Sequence, residues 1–229
     1  YDSRVLLLLT GACAVHCRYC FRRHFPYSQT PHGLEAWEGA LDQIAADRSI
    51  DEVILSGGDP LTLADSQLAE LARQLAAIPH LRRLRIHTRL PVMIPARVNA
   101  SLLGWLTATR LTPLVVIHAN HPQEIDDAVA TALGRLVDRG IVLLNQSVLL
   151  AGVNDQLEVL VELSRRLVDL RVMPYYLHQL DRVSGAAHFE VPLARGVQLI
   201  QQMRRQLPGY AVPRYVRERA GAPSKEPLY

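Results

Sequence analysis

Short apolar runs typical of strands alternate along this chain with longer segments of helical periodicity, and this alternation restricts the possible folds more than any other feature. Residues 5–9 form the first apolar run, and in the next segment, 33–46, Leu34, Trp37 and Leu41 lie three or four positions apart. About six such β-α units are typical of a parallel sheet with helical crossovers. The remaining strands are predicted at 52–55, 81–87, 114–118, 141–150 and 172–176, and the remaining helices from an N-cap at Asp65, from Pro95, and at 124–138, 157–167 and 193–207.

Polar or glycine-rich residues follow the first four predicted strands, at 11–20, 56–59, 88–89 and 120–121. Both an open doubly wound sheet and a barrel bind ligands at the carboxyl ends of their strands. Four such ends in succession favour a curved sheet gathered around one site. We therefore predict an α/β fold, a partial (β/α)6 TIM-like barrel, with residues 1–229 in one domain.

All cysteines of the chain lie in one eight-residue window, as Cys13, Cys17 and Cys20. A structural zinc site is closed by four ligands, and an ordinary four-iron cluster also takes four cysteines. Three thiolates on a four-iron cluster leave one iron open to a reactant. With no cysteine elsewhere to pair with, a disulfide framework is disfavoured and a reducing, cytoplasmic compartment is predicted.

Lysine occurs once in the chain, at Lys225, against 24 arginines. A guanidinium stays protonated and cannot form an imine, whereas a lysine amine can form a Schiff base. The alternative is drift in an arginine-rich sequence, and composition does not decide between the two.

The charge and hydropathy of the chain disfavour nucleic acid and membrane as partners. The net charge of +3 is mild and dispersed, and no apolar run approaches the roughly 20 residues that a membrane-spanning helix needs. No signal peptide is apparent. The chain begins at Tyr1 without an initiating methionine, so we expect a native N-terminal region to be missing.

The C-x3-C-x2-C motif, with Tyr19 directly before its last cysteine, resembles the signature of the radical S-adenosylmethionine (SAM) superfamily. The resemblance implies a [4Fe-4S] cluster on the three cysteines and SAM on its open iron, cleaved to a 5′-deoxyadenosyl radical with electrons from a reductant such as flavodoxin or ferredoxin. The turn after the second strand matches the SAM-binding turn of that superfamily, with Asp59 expected to accept from the methionine ammonium. From its residues alone, the turn is equally an ordinary Gly-Gly-Asp turn. It consists of Ser56, Gly57, Gly58 and Asp59.

Longer matches over essentially the whole chain resemble the lysine 2,3-aminomutases. Two further segments, 178–181 and 221–225, are most similar to the short bacterial branch, which makes β-lysine for modification of translation elongation factor P. The matches to the wider family are at 4–10, 17–23, 55–59, 145–155, 174–177 and 188–189.

This resemblance implies a second cofactor, pyridoxal 5′-phosphate (PLP), with Lys225 at the position of the Schiff-base lysine. Arg4 matches a contact to the PLP phosphate, and Tyr1 is expected beside it. Gln146 is expected to line the SAM pocket, as are the other polar strand-end residues Thr88, Arg89 and Asn120. Taken without the family, Arg4 would be a surface cation at a strand end.

The substrate contacts implied by the resemblance are Arg22 for the α-carboxylate and Asp181 and Glu218 for the ε-ammonium. An arginine fork suits a carboxylate because it can bind it bidentately. Without the family, all three residues would be interpreted as surface charges. The chain departs from the lysine-degrading members in having Glu218 where they have Asp. It also has no cysteine to spare for their structural zinc, so we predict no zinc.

The implied function is an isomerase that converts L-α-lysine to β-lysine by PLP-assisted 1,2-amino migration, started by the 5′-deoxyadenosyl radical. Alternatives are an aminomutase for arginine or glutamate and a non-catalytic iron–sulfur module. Two acidic residues at the far end of the substrate disfavour glutamate. His118, His121 and His178 are predicted to be satisfied buried or loop histidines rather than metal ligands.

Overall fold

A computed structural model describes residues 2–27, 33–219 and 221–229, and these form a single eight-stranded sheet with helices against it. Its strands follow one another in chain order; β1 to β7 pair in parallel, and β8 pairs antiparallel with β7. The strands are β1 Arg4–Thr10, β2 Glu52–Gly57, β3 Arg83–Thr88, β4 Thr112–Ile117, β5 Val142–Val148, β6 Met173–His178, β7 Arg214–Arg217 and β8 Glu226–Pro227.

The helices lie in the connections between successive strands, as the predicted alternation requires. Sequential parallel pairing with a helix in each crossover is the arrangement of a partial TIM-like barrel. The helices are α1 Leu34–Ala46, α2 Asp65–Ala77, α3 Leu90–Met93, α4 Ala100–Thr107, α5 Asp127–Val137, α6 Leu157–Asp169 and α7 Leu193–Gln206, with 3-10 turns at Pro60–Thr62, Pro95–Arg97, Pro122–Glu124, Ala187–Phe189 and Gly209–Ala211.

Strands β2 and β3 each bury an apolar face against the helices. Val53 and Leu55 of β2 and Leu84 and Ile86 of β3 are buried in one core with the helices. Successive strand residues point to opposite faces, so the residues between them line the inner face of the sheet. On β3 these residues are two arginines and a histidine, so a bound ligand would meet polar side chains on that strand.

A buried ion pair lies on this inner face, toward the amino ends of the strands. Arg85 Nε donates to Glu52 Oε1 at 3.0 Å, and Arg85 Nη2 to Oε2 at 2.5 Å. The two side chains are 10% and 8% exposed. Removing one partner of such a pair typically costs about 3–5 kcal/mol, because it leaves a buried charge uncompensated.

A second core joins the last helices to the end of the sheet. Leu199 and Met203 of α7 pack with Leu177 of β6 and Tyr215 of β7. Gly196 leaves room for the Tyr215 ring, since a Cβ at Gly196 would lie 2.1 Å from the Tyr215 hydroxyl. This packing fixes β7, the strand that precedes the Lys225 segment.

Three details of the sequence prediction are wrong. Asp65 is the first helical residue of α2 and not its N-cap, which is Ala64; its carboxylate instead accepts from Arg97 and Trp105. Pro95 begins a 3-10 turn, and α4 starts only at Ala100 after the Asn99 cap. The short strands β7 and β8 were not predicted.

Among the described residues, the helices are too short or too polar to cross a membrane.

Candidate active site

The cysteine loop spans residues 11–27, and its first residues are hydrogen-bonded to the turn after β2. Gly58 N donates to Thr10 O at 2.6 Å, and Asp59 N donates to Ala12 O at 2.8 Å. A Cβ on Gly58 would lie 2.2 Å from Ala12 O, and one on Gly57, which has φ of 122°, would lie 2.4 Å from Thr10 O. The two glycines are required because the backbone of the cysteine loop packs directly on the turn.

The carboxylate of Asp59 links the ends of two strands. Oδ1 accepts from Leu61 N at 3.1 Å and from Thr88 Oγ1 at 2.7 Å, and Oδ2 accepts from Arg89 N at 2.7 Å. Burial raises the pKa of Asp59, and these hydrogen bonds oppose the shift. The structure thus gives Asp59 a role in fixing the turn, and its contact to a SAM ammonium stays a prediction.

A charged network connects the cysteine loop to the ends of β3 and β4. Arg89 Nη1 donates to Cys17 Sγ at 3.0 Å and to Tyr19 Oη at 2.7 Å, and its Nη2 donates to Glu124 Oε2 at 2.6 Å. Asn120 Nδ2 donates to the same Tyr19 hydroxyl. Burial lowers the pKa of Arg89, but the charges of Tyr19, Cys17 and Glu124 outweigh it and raise that pKa.

The three predicted cluster ligands are partly buried in this loop. Within the described ranges, no three histidine, cysteine or acidic side chains converge closely enough to hold a single metal ion. Burial, followed by the charges of Asp59, Cys20 and Cys17, raises the pKa of Cys13 to about 11. Three neighbouring thiols with a cationic donor on one sulfur suit an iron–sulfur cluster, in which each cysteine serves a separate iron.

Arg22 reaches from the cysteine loop to the carboxyl end of β2. Its Nη1 donates to Ser56 Oγ at 2.7 Å and to Gly57 O at 3.0 Å. A guanidinium carries five N–H donors, so these bonds leave donors for a ligand. The predicted substrate contact Arg22 and the predicted SAM turn are therefore brought together.

Several buried polar atoms on the inner surface have no hydrogen-bond partner within the described residues. Gln146 Nε2 lies 3.0 Å from His118 Nε2 and 3.4 Å from His87 Nδ1. Gln146 Oε1, His87 Nε2 and His178 Nε2 are buried with no hydrogen-bond partner among the described residues. Since buried polar groups are nearly always paired, these atoms mark a surface that suits a polar ligand.

The C-terminal segment brings Lys225 to the same inner surface. Lys225 Nζ donates to Glu218 Oε2, and it lies 5.7 Å from the centroid of the Tyr176 ring. Burial and then the Glu218 charge raise the pKa of Asp181, while Lys225 lowers it. The two predicted acidic contacts and the predicted Schiff-base lysine thus lie within electrostatic reach of one another.

His87 connects the two ends of the site. Burial, and then the charges of His118, Arg85, Lys225 and Arg22, hold the pKa of His87 well below its usual value. A single side chain therefore responds to Arg22 from the cysteine loop and to Lys225 from the C-terminal segment. The charges of both groups therefore reach the same buried imidazole.

Arg4, the predicted PLP-phosphate contact, lies at the start of β1 and is partly buried. Burial raises the pKa of Tyr176 to about 12, and the charges of Arg214 and Arg4 lower it. Arg4 is therefore near the ring that Lys225 approaches. Tyr1, predicted beside Arg4, lies outside the described residues.

The sequence did not single out Glu124 and Tyr176, and it named Arg89 only as a possible pocket residue. The local bonds of Glu124 to the backbone of Asn120 and His121 give no sign of its contact with Arg89, which lies 35 positions away. The prediction that the buried histidines are satisfied is wrong for His178, whose Nε2 has no partner within the described part of the chain.

Comparison with known proteins decides the family. Residues 7–163 match the model of the Radical SAM superfamily. The chain is 49% identical over its full length to the L-lysine 2,3-aminomutase of Escherichia coli, covering 67% of that protein, and 39% identical to that of Clostridium subterminale, covering 55%. The chain belongs to the lysine 2,3-aminomutase family of radical SAM proteins. The predicted family is therefore confirmed. The chain spans about two thirds of the length of the Escherichia coli protein.

Solved structures confirm the fold class. Streptococcus suis SuiB bound to S-adenosylmethionine superimposes with a TM-score of 0.72 at 14% identity, covering 96% of this chain and 51% of that one. A radical SAM methyltransferase from Sphaerobacter thermophilus gives 0.61 at 18% identity, covering 94% and 67%. At such identities the likeness concerns the fold, which is the partial barrel of the radical SAM type.

The family uses a [4Fe-4S] cluster, SAM and PLP, and the residues present fit all three. The cysteine loop offers three thiols, the turn after β2 opens beside Arg22, and the inner surface offers the Lys225 amine and unpaired polar atoms. Cys13, Cys17 and Cys20 would hold the cluster. Lys225 would hold PLP.

Proposed function

We propose that this chain is the catalytic barrel of an enzyme that converts L-lysine to β-lysine. When bound, the cluster and SAM supply a hydrogen-abstracting radical, and PLP supplies a carbonyl that links to amines. The observation that carries the proposal is one of geometry: Arg22 of the cysteine loop donates to Ser56 on the inner face of β2, and Lys225 Nζ lies 5.7 Å from the centroid of the Tyr176 ring on the inner face of β6. Radical generation and amine chemistry could then act on one substrate molecule.

The charges at the two ends of this interior are complementary to lysine. Arg22, held at Ser56 and Gly57, offers a cation for the α-carboxylate. Asp181 and Glu218 offer anions for the ε-ammonium, and the charge of Glu218 is close enough to raise the pKa of Asp181, after burial, which raises it most. Glutamate would place a second carboxylate against these acids, so its binding is disfavoured.

Lys225 and Glu218 form an ion pair in the described structure. A protonated amine is not a nucleophile, so Lys225 must lose a proton before it can hold PLP covalently. That proton can pass to solvent, since the Lys225 side chain is 25% exposed. Glu218 then stays a carboxylate and can accept a hydrogen bond from an ammonium group at this end of the interior, either from Lys225, as in the described structure, or from the substrate.

We further propose that residues 1–229 form one domain of a longer protein, since the relatives in Escherichia coli and Haemophilus influenzae extend beyond the matched region. The prediction that the product is destined for elongation factor P is supported by the higher identity to these relatives, 49–50%, than to the clostridial protein, 39%. A mass shift of elongation factor P on coexpression would test it.

The test of the proposed function is an anaerobic incubation of the reconstituted full-length protein with SAM, PLP and L-lysine, with parallel arms containing L-arginine and L-glutamate. We expect an isomer of lysine with the amino group on the β-carbon, identified by mass after derivatisation. Formation of β-arginine or β-glutamate without β-lysine would contradict the proposed substrate. The absence of any isomer, with SAM cleaved, would contradict the aminomutase activity itself.

A further inference from the structure

The guanidinium of Arg89 is fixed beside the sulfur of one predicted cluster ligand. Its Nη1 donates to Cys17 Sγ at 3.0 Å, while Nη2 is held by Glu124 at 2.6 Å. The side chains of Arg89 and Glu124 are 20% and 21% exposed. The Nε–H of Arg89 is buried without a partner in the described part of the chain, so one donor is left for a bound group.

Such a cation affects the electrochemistry of an iron–sulfur cluster. Hydrogen bonds to the cysteine sulfurs, net charge and exposure set the reduction potential. A charged donor forms a stronger hydrogen bond than a neutral one, and limited solvent access weakens the screening. The added electron makes the cluster more negative, so the donor stabilises the reduced state more than the oxidised state.

We propose that Arg89 is a positioning residue for the cluster: its hydrogen bond orients Cys17 and raises the midpoint potential of the cluster. Glu124 and the Tyr19 hydroxyl hold the guanidinium in place. The inference rests on the cluster of the proposed function, but it does not depend on the substrate being lysine.

The chain offers a matched control in Arg97, which is also held by one carboxylate. Arg97 Nη2 donates to Asp65 Oδ1 at 2.7 Å, and the two side chains are 14% and 18% exposed. Its Nε donates to Leu61 O at 2.8 Å, in the connection after β2. Replacing Arg97 therefore removes an ion pair that is similarly shielded from solvent, but none of these partners of Arg97 is a cysteine.

The experiment is a redox titration of the reconstituted full-length protein, followed by electron paramagnetic resonance, without PLP or lysine. Wild type, Arg89→Gln and Arg97→Gln are compared after their iron content has been matched. For Arg89→Gln we expect reduction to be about tenfold less favourable, a shift of about 59 mV to more negative potential for one electron. Arg97→Gln should match the wild type.

An unchanged potential in Arg89→Gln with full iron content, or an equal shift in Arg97→Gln, would overturn the inference. Neither result would contradict the proposed aminomutase activity. If Arg89→Gln does not retain the cluster, the same redox titration of Arg89→Lys tests the inference instead. It keeps a cation but loses the planar fork, so we expect a smaller shift in the same direction, and a wild-type potential would count against Arg89. A wild-type protein that binds no cluster would refute the proposed function as well.

Discussion

The two ends of the interior are built differently. At the cysteine end, Asp59 is 5% exposed and accepts three hydrogen bonds, and Arg89 connects the loop to two further strands. At the lysine end, Lys225 and Glu218 hold each other, with side chains 25% and 43% exposed. The cysteine end is therefore organised by internal hydrogen bonds, whereas the lysine end keeps its charged groups accessible, as the proposed exchange between PLP and substrate requires.

The largest effect is expected from removing the amine, with Lys225→Ala. β-Lysine formation should fall below detection, because the group that we propose to hold PLP covalently is gone, while the cluster and SAM cleavage should persist at the undisturbed cysteine end. Lys225→Arg is the matched control, since it keeps a cation for Glu218 but cannot form an imine. Product analysis by mass spectrometry checks both variants, and wild-type β-lysine formation by either would refute the assigned role.

The next largest effect should come from the cysteine end, with Gly58→Ala. The new Cβ would lie 2.2 Å from Ala12 O, so the loop must move and we expect most of the bound iron to be lost. Gly134→Ala is the control, because no atom lies within 4 Å of a Cβ there, and alanine in α5 should stabilise the helix by up to about 1 kcal/mol. Iron content per chain and thermal midpoint are measured. Full iron content in Gly58→Ala would contradict the packing argument.

A moderate effect is expected for Glu218→Gln. Hydrogen bonds that involve a charged group contribute about 1.5–3 kcal/mol, and Glu218 is partly exposed, so we expect KM for lysine to rise about tenfold. Glu162→Gln removes an exposed carboxylate paired with Arg166 on α6 and should leave KM unchanged. Steady-state kinetics measure the difference, and equal KM values in both variants would show that Glu218 does not contact the substrate.

The smallest effect concerns acid stability. Burial is the largest cause that lowers the pKa of His118 to about 3 and that of His178 to about 4, and the charges of His178 and Lys225, respectively, are the next largest. Between pH 6.5 and about 4 the unfolded chain therefore binds more protons than the folded chain, so stability falls as the pH is lowered through this range.

Urea unfolding at pH 7 and pH 5.5 should show this loss, of about 1 kcal/mol per histidine. His178→Gln should remove part of the pH dependence, because glutamine does not titrate. A wild-type midpoint that does not change between the two pH values would contradict the burial of neutral histidines in the interior.

Most of the fold could be predicted from the sequence because strand and helix periodicities alternate strictly from β1 to α7. The short strands β7 and β8 could not, since Arg214–Arg217 has no apolar run of its own and Glu226–Pro227 is only two residues long. Tertiary pairing, rather than local propensity, makes them strands.

The site was predictable where a motif or a rare residue marked it, as with Cys13, Cys17, Cys20 and Lys225. The contacts of Asp59 and Arg89 were not, because both side chains bond to residues about 30 or more positions away. The resemblance gave candidate roles. The structure added that the glycines of the turn are required by the packing of the cysteine loop.

The most direct test of the shared interior uses L-lysine labelled with deuterium on the β-carbon, incubated anaerobically with the reconstituted full-length protein, SAM and PLP. If the cysteine end and Lys225 act on one substrate molecule, deuterium must appear in the 5′-deoxyadenosine that is recovered, and it should be absent with Lys225→Ala. Cleavage of SAM by the wild-type protein to unlabelled 5′-deoxyadenosine, with β-lysine formed, would contradict the account.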